Sequence, residues 1–153
     1  MRVRKCLTFA KFWLPVLVWC GVIFIASSDS NSVHHSSRLL GPFLKWLLPR
    51  LTDAQLGDLI FFCRKCAHAA EYAVLACLLW RALRDFLTDN PARNAVAGRL
   101  AWCCATFYAA TDELHQHFVA NRQGSVWDVL LDSLGALAGL AILWGIGRWR
   151  KVG

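Results

Sequence analysis

The chain has 153 residues, 57% of them hydrophobic, with eight Trp, nine Phe and a formal net charge of +7; its mean hydropathy is +0.40. A soluble protein of this length cannot hide so much apolar surface in one core, so lipid is the solvent that the composition asks for. Lys and Arg punctuate apolar runs instead of gathering on one folded surface, which argues for a membrane protein and against nucleic-acid binding.

The first predicted span runs from Phe12 to Ser28, preceded by Arg2, Arg4, Lys5 and Lys11 and uncharged until Asp29. A basic stretch before an apolar run also describes a secretory signal peptide, with Ala26-Ser27-Ser28 as its cleavage region. The full-span length and the bulky Trp13 and Trp19 favour an uncleaved helix. Next, Ser27 to Ser32 reads as a turn. Ser36 to Leu48 reads as a short helix on the membrane surface, with Arg38 and Lys45 embedded in it. Pro49 ends that helix. Thr52-Asp-Ala-Gln55 has capping-box spacing, so a new helix is predicted to start at Thr52 and to run into the second span, residues 67–87. The third span covers 96–111 and the fourth 126–147. The expected fold class is all-α: a polytopic membrane four-helix bundle with an additional short interfacial helix in the first outer loop, one domain over 1–153.

Orientation follows from the basic residues. With a cytoplasmic N-terminus, the outer side holds only Arg38, Lys45, Arg50, Arg64, Lys65 and Arg122 of the Lys and Arg in the chain. The excess lies inside, so both termini are expected to face the cytoplasm, with Trp80, Trp102, Trp144 and Trp149 near the inner interface.

Polar residues intrude where the spans approach the outer side. Arg64, His68 and Glu71 are spaced by four and three residues and share a helix face. So do Asp112, His115 and Gln116, and again Asp128, Asp132 and Gly135. At about 1.5 Å of rise per residue, Glu71 stands about 13 Å from Trp80, Asp112 about 15 Å from Trp102, and Asp132 about 18 Å from Trp144. The three stripes therefore meet at similar depth in the outer half of the bilayer. An ionised carboxylate there costs roughly 2.5–3.5 kcal/mol, so Glu71 and Asp132 are expected to face inward toward partners among Arg64, Lys65, His68, His115 and Arg122. A buried salt-bridge network would suffice for packing; a polar cavity open to the outer surface is the functional alternative.

The loop Asn121-Arg122-Gln123-Gly124-Ser125 suits a tight turn at Gly124. Ser125 is placed to cap the fourth helix, with Asp128 at the capping-box position. Gly135 and Gly139 form a GxxxG that serves close packing within the chain or a homo-oligomer. Seven Cys is an odd number, which argues against a disulfide framework, and Cys63 and Cys66 form an isolated CxxC. His68, Glu71, Asp112, His115 and Asp132 are acceptable metal ligands, but no compact ligand motif occurs. No metal and no cofactor are expected.

Two segments carry a family resemblance. Arg64-Lys65-Cys66-Ala67-His68-Ala69-Ala70-Glu71-Tyr72-Ala73-Val74-Leu75 resembles the first signature of VanZ-like membrane proteins. The stretch from Thr111 to Gly135, with Asp112, Glu113, His115, Gln116, Phe118, Arg122, Gly124, Asp128 and Asp132, resembles the second. Ala120-Asn121 stands where many relatives have Pro and Gly. The resemblance implies a small bacterial inner-membrane protein; the family's name comes from a member associated with teicoplanin resistance. On this reading Glu71, Asp112, His115 and Asp132 are candidate catalytic residues. Arg64, Lys65, His68, Gln116, Arg122 and Asp128 are candidates for binding an anionic lipid or cell-wall precursor.

Overall fold

The structure is a computed structural model and describes residues 2–28, 32–87, 92–118 and 125–152. These form five helices in the order α1 (Arg2–Ser28), α2 (Ser32–Leu47), α3 (Asp53–Phe86), α4 (Arg93–His117) and α5 (Val126–Val152), with no strand among the described residues. Three helices are long and apolar enough to cross a membrane, over Phe9–Ser27, Asp53–Phe86 and Val126–Arg148. The third predicted span, 96–111, belongs to α4, which has 25 residues and is long enough, but too polar to qualify. It starts at Arg93, carries Arg99, and ends in Asp112-Glu113-Leu114-His115-Gln116-His117.

Several boundaries differ from expectation for simple reasons. α2 starts at Ser32, read as the end of a turn, four residues before the predicted Ser36, because Ser-Val-His-His contains neither Gly nor Pro to break a helix; 29–31 lie outside the described residues. α4 runs six residues beyond the predicted 111, and the polar segment stays helical. The cap of α3 is as predicted: Thr52 accepts from the Gln55 backbone N–H at 3.3 Å, and Gln55 Oε1 accepts from the Thr52 N–H at 3.0 Å. Lys45 then donates to Asp53 at 2.8 Å and to the Leu51 carbonyl at 3.1 Å, tying α2 to the start of α3.

α3 is the central helix and packs against each of the other four. Its closest neighbour is α5, where the GxxxG lies. A methyl placed on Gly135 would sit 2.8 Å from the Ala69 Cα, and one on Gly139 would sit 2.7 Å from the Ala73 carbonyl oxygen. The two backbones touch because neither glycine has a Cβ, so the motif is used within the chain. α4 solves the same problem with alanine. Ala97, Ala101, Ala105 and Ala109 recur every fourth residue and are fully buried, giving α4 a narrow inward face.

α1 is fastened through donors to backbone carbonyls. Tyr108 donates to the Cys20 carbonyl at 2.7 Å, and Trp19 donates to the Glu71 carbonyl at 2.9 Å. Pro15 inside α1 has no N–H, so the Lys11 carbonyl four residues earlier loses its helical partner. Arg81 donates to that carbonyl at 3.3 Å. Trp102, expected at an interface, is half-buried and donates to Ser133 Oγ at 3.0 Å, linking α4 to α5. Outward faces carry Leu17, Ile25, Phe107, Leu134 and Ile142, all more than half exposed, as lipid-facing positions would be.

Candidate functional site

The sequence places three polar stripes on three helices, and the structure brings their members together around Asp112. This carboxylate is 4% exposed. Its Oδ2 accepts from Ser27 Oγ at 2.7 Å, from Gln116 Nε2 at 3.0 Å, and more loosely from the Tyr72 hydroxyl at 3.4 Å. Ser27 and Tyr72 are fully buried. One carboxylate oxygen thus joins α1, α3 and α4. Ser27 escaped the sequence reading, which placed it in a turn or a cleavage region. Its only signal was its position at the very end of the first apolar run.

Glu71 lies on α3 one turn from His68, with its Oε2 at 3.4 Å from His68 Nδ1. That atom, Asp112 Oδ1 and Asp132 Oδ1 are the buried side-chain oxygens without a hydrogen-bond partner among the described residues. Asp132 is 3% exposed and lies within electrostatic reach of Glu113, Asp128, Asp112 and Lys65. Glu71 is within reach of Asp112. Such acceptors are costly to bury unless something donates to them.

Lys65 pairs with Asp128, joining α3 to α5, and its ammonium also lies 5.2 Å from the Phe61 ring centroid. Asp128 therefore does not close a capping box on Ser125. Ser125 does cap α5, its Oγ accepting from the Trp127 N–H at 3.2 Å. Its own backbone N–H, however, goes to Glu113 Oε2 at 2.9 Å. Glu113 reaches that N–H from another helix and is 8% exposed. No sequence spacing pointed to it, because the contact is made across the bundle. The His115 ring lies against Phe24 of α1, with centroids 4.7 Å apart. Arg64 is half-buried on the His68 face. Arg122 and the rest of the loop 119–124 lie outside the described residues, so the predicted turn at Gly124 does too.

Both members of the Lys65–Asp128 pair remain partly exposed, at 29% and 23% for the side chains. Breaking it by Lys65→Met or Asp128→Leu alone is expected to cost about 1–2 kcal/mol, because one charge is left at the edge of an apolar bundle. The double variant should recover to within about 1 kcal/mol of wild type. Thermal melting of the three variants in detergent measures the cycle; equal losses in the double and single variants would show that the pair is not what matters.

Among the described residues no three His, Cys, Asp or Glu side chains form a group that could hold a metal ion. The arrangement can instead accept hydrogen bonds from a polar group entering the bundle, and its carboxylates can exchange protons with that group. Comparison with known proteins places the chain by family alone, since no curated protein and no solved structure matches it. The profile that does match is described as VanZ/LLP1 and extends over residues 12–148, from α1 to α5 and across both polar segments. The chain, almost in its entirety, belongs to the VanZ/LLP1 family.

Proposed function

We propose that the chain is a four-span protein of the bacterial cytoplasmic membrane, with both termini cytoplasmic. Its polar site opens to the outer leaflet and binds or acts on a lipid-linked or phosphorylated envelope component. The observation that carries this reading is the set of buried acceptor atoms without donors on Glu71, Asp112 and Asp132. A helix bundle built only for strength would leave none, since each costs free energy that packing alone must offset. Arg64 and Lys65, with Arg122, hold an anionic group in this scheme. Glu71, Asp112 or Asp132 serve as general acid or base, and His68 or His115 share protons with them. Tolerance to glycopeptides such as teicoplanin is then one phenotype in which the site is read out.

A second, non-catalytic reading is favoured by the Ser27–Asp112–Gln116 hub and the Glu113–Ser125 contact, which fasten helices together. One experiment separates the two. Glu71→Gln, Asp112→Asn, His115→Ala and Asp132→Asn are made singly, and membrane abundance is measured beside a glycopeptide or envelope-stress phenotype. Loss of phenotype at normal abundance is the expected result for Glu71→Gln and Asp132→Asn. Loss of abundance in all four would sink the working-site reading in favour of structural ion pairs.

A further inference from the structure

Asp128 and Asp132 are one turn apart on α5 and share a face. Asp128 stands at the partly exposed rim, held by Lys65, while Asp132 lies beneath it, 97% out of contact with solvent by its 3% exposure and with Oδ1 lacking a donor. Five carboxylates (Glu71, Asp112, Glu113, Asp128 and Asp132) act on one another here, and Lys65 acts on both Asp132 and Glu113. Glu113 is engaged by the Ser125 N–H, and one oxygen of Asp112 is filled by Ser27 and Gln116. What is left over among the described residues is acceptor capacity, on Glu71 Oε2, Asp112 Oδ1 and Asp132 Oδ1. A phosphodiester has neither hydrogen-bond donors nor positive charge to offer, so such an anion alone does not answer the inner part of the site.

We infer that the Asp128–Asp132 face takes a primary ammonium carried on the zwitterionic headgroup of a lipid, whose phosphate meets Lys65. This rests on the proposed function and names the substrate class of the same site. The chemistry is exchange of one ion pair for two. The lipid ammonium replaces the Lys65 ammonium at Asp128 and donates inward toward Asp132, and Lys65, on its flexible stem, turns to the phosphate. An ammonium bears three donors and can serve two carboxylates at once; a trimethylammonium bears none. The source is lipid because α5 turns Val126, Trp127 and Leu134 outward beside the two aspartates, each more than half exposed.

The experiment uses the full chain in detergent, with bound lipid counted by native mass spectrometry during titration with lysophosphatidylethanolamine, lysophosphatidylcholine or lysophosphatidylglycerol. The expected result is at least tenfold tighter binding of the ethanolamine lipid than of the choline lipid. Asp132→Asn and, separately, Asp128→Asn should cut that preference to below threefold. Free ethanolamine at millimolar concentration should not displace the lipid. Equal binding of the ethanolamine and choline lipids by the wild-type chain overturns the inference without any variant. Tighter binding of the glycerol lipid overturns the ammonium while the phosphate-lipid reading stands, and binding of none of the three overturns both. Displacement by free ethanolamine overturns the lipid as the source. A preference that survives both substitutions overturns the assignment to this face.

Discussion

Gly135→Val is expected to lower the thermal midpoint of the detergent-solubilised protein by about 6–12 °C, the equivalent of about 3 kcal/mol at 2–4 °C per kcal/mol. A methyl at this position already falls 2.8 Å from both the Cα and the carbonyl carbon of Ala69. Those are backbone atoms of a long central helix, so no side chain can swing aside to make room. α5 must move away from α3, and the Lys65–Asp128 pair between the same two helices is strained with it. Gly139→Ala should behave similarly and more mildly, meeting the Ala73 carbonyl at 2.7 Å. Gly145 and Gly147 supply the comparison. Neither has anything within 4 Å of its would-be Cβ, so alanine there should be neutral or stabilise by up to about 1 kcal/mol through helix propensity. If Gly135→Val melts with Gly145→Ala, the contact between α3 and α5 is not as close as described.

Asp112→Ala is expected to destabilise by about 2–4 kcal/mol, whereas Asp112→Asn should cost less than about 1.5 kcal/mol. The alanine variant takes the Oδ2 acceptor from the Ser27 hydroxyl and the Gln116 amide, both buried and both donating to it at hydrogen-bond distance. Each stranded buried donor costs about 1–3 kcal/mol in a protein interior, and bonds between membrane helices have averaged nearer 0.6 kcal/mol. The upper part of the range applies because two donors lose one acceptor together. Asparagine keeps a carbonyl oxygen where Oδ2 was and removes the charge, so it separates fastening from chemistry. Tyr72→Phe tests the same hub from another side. Its hydroxyl stands 3.4 Å away, at the edge of bonding distance, and its removal should cost less than about 1 kcal/mol. Urea or SDS titration of the purified variants ranks them; a Tyr72→Phe loss as large as that of Asp112→Ala would contradict the geometry.

The parts of this architecture written in local patterns were legible in the sequence. The Thr52–Gln55 capping box depends on residues three apart, and it formed as read. The stripes on α3, α4 and α5 depend on helical spacing; Asp132 is buried as expected, and Asp112 and Gln116, which share a face, are buried with it. Contacts across the bundle were less legible. Ser27 meets a residue 85 positions away, and nothing in an apolar run distinguishes a serine that will find a carboxylate from one that ends a span. Glu113 was hidden for a related reason. It sits next to Asp112 in sequence but about 100° round the helix, off the stripe, and its partner is a backbone N–H that no side-chain pattern announces. The GxxxG was visible as a motif, but which helix it faces depends on Ala69 and Ala73. α4 was predicted as the third span, over 96–111, though its composition falls short of one.

The polarity of α4 bears on how the molecule is made. On the four-span reading, α4 leaves the ribosome with Arg99, Asp112 and Glu113 and without the apolarity to remain in lipid alone. Its inward face is a row of alanines shaped for neighbours, and Glu113 waits for Ser125 at the start of α5. A nascent chain cut at His117 would therefore hold α1 and α3 as stable insertions, while α4 slips back out or is captured by quality control. On that reading, translation of α5, more than insertion of α4 itself, is the event that commits α4 to the membrane.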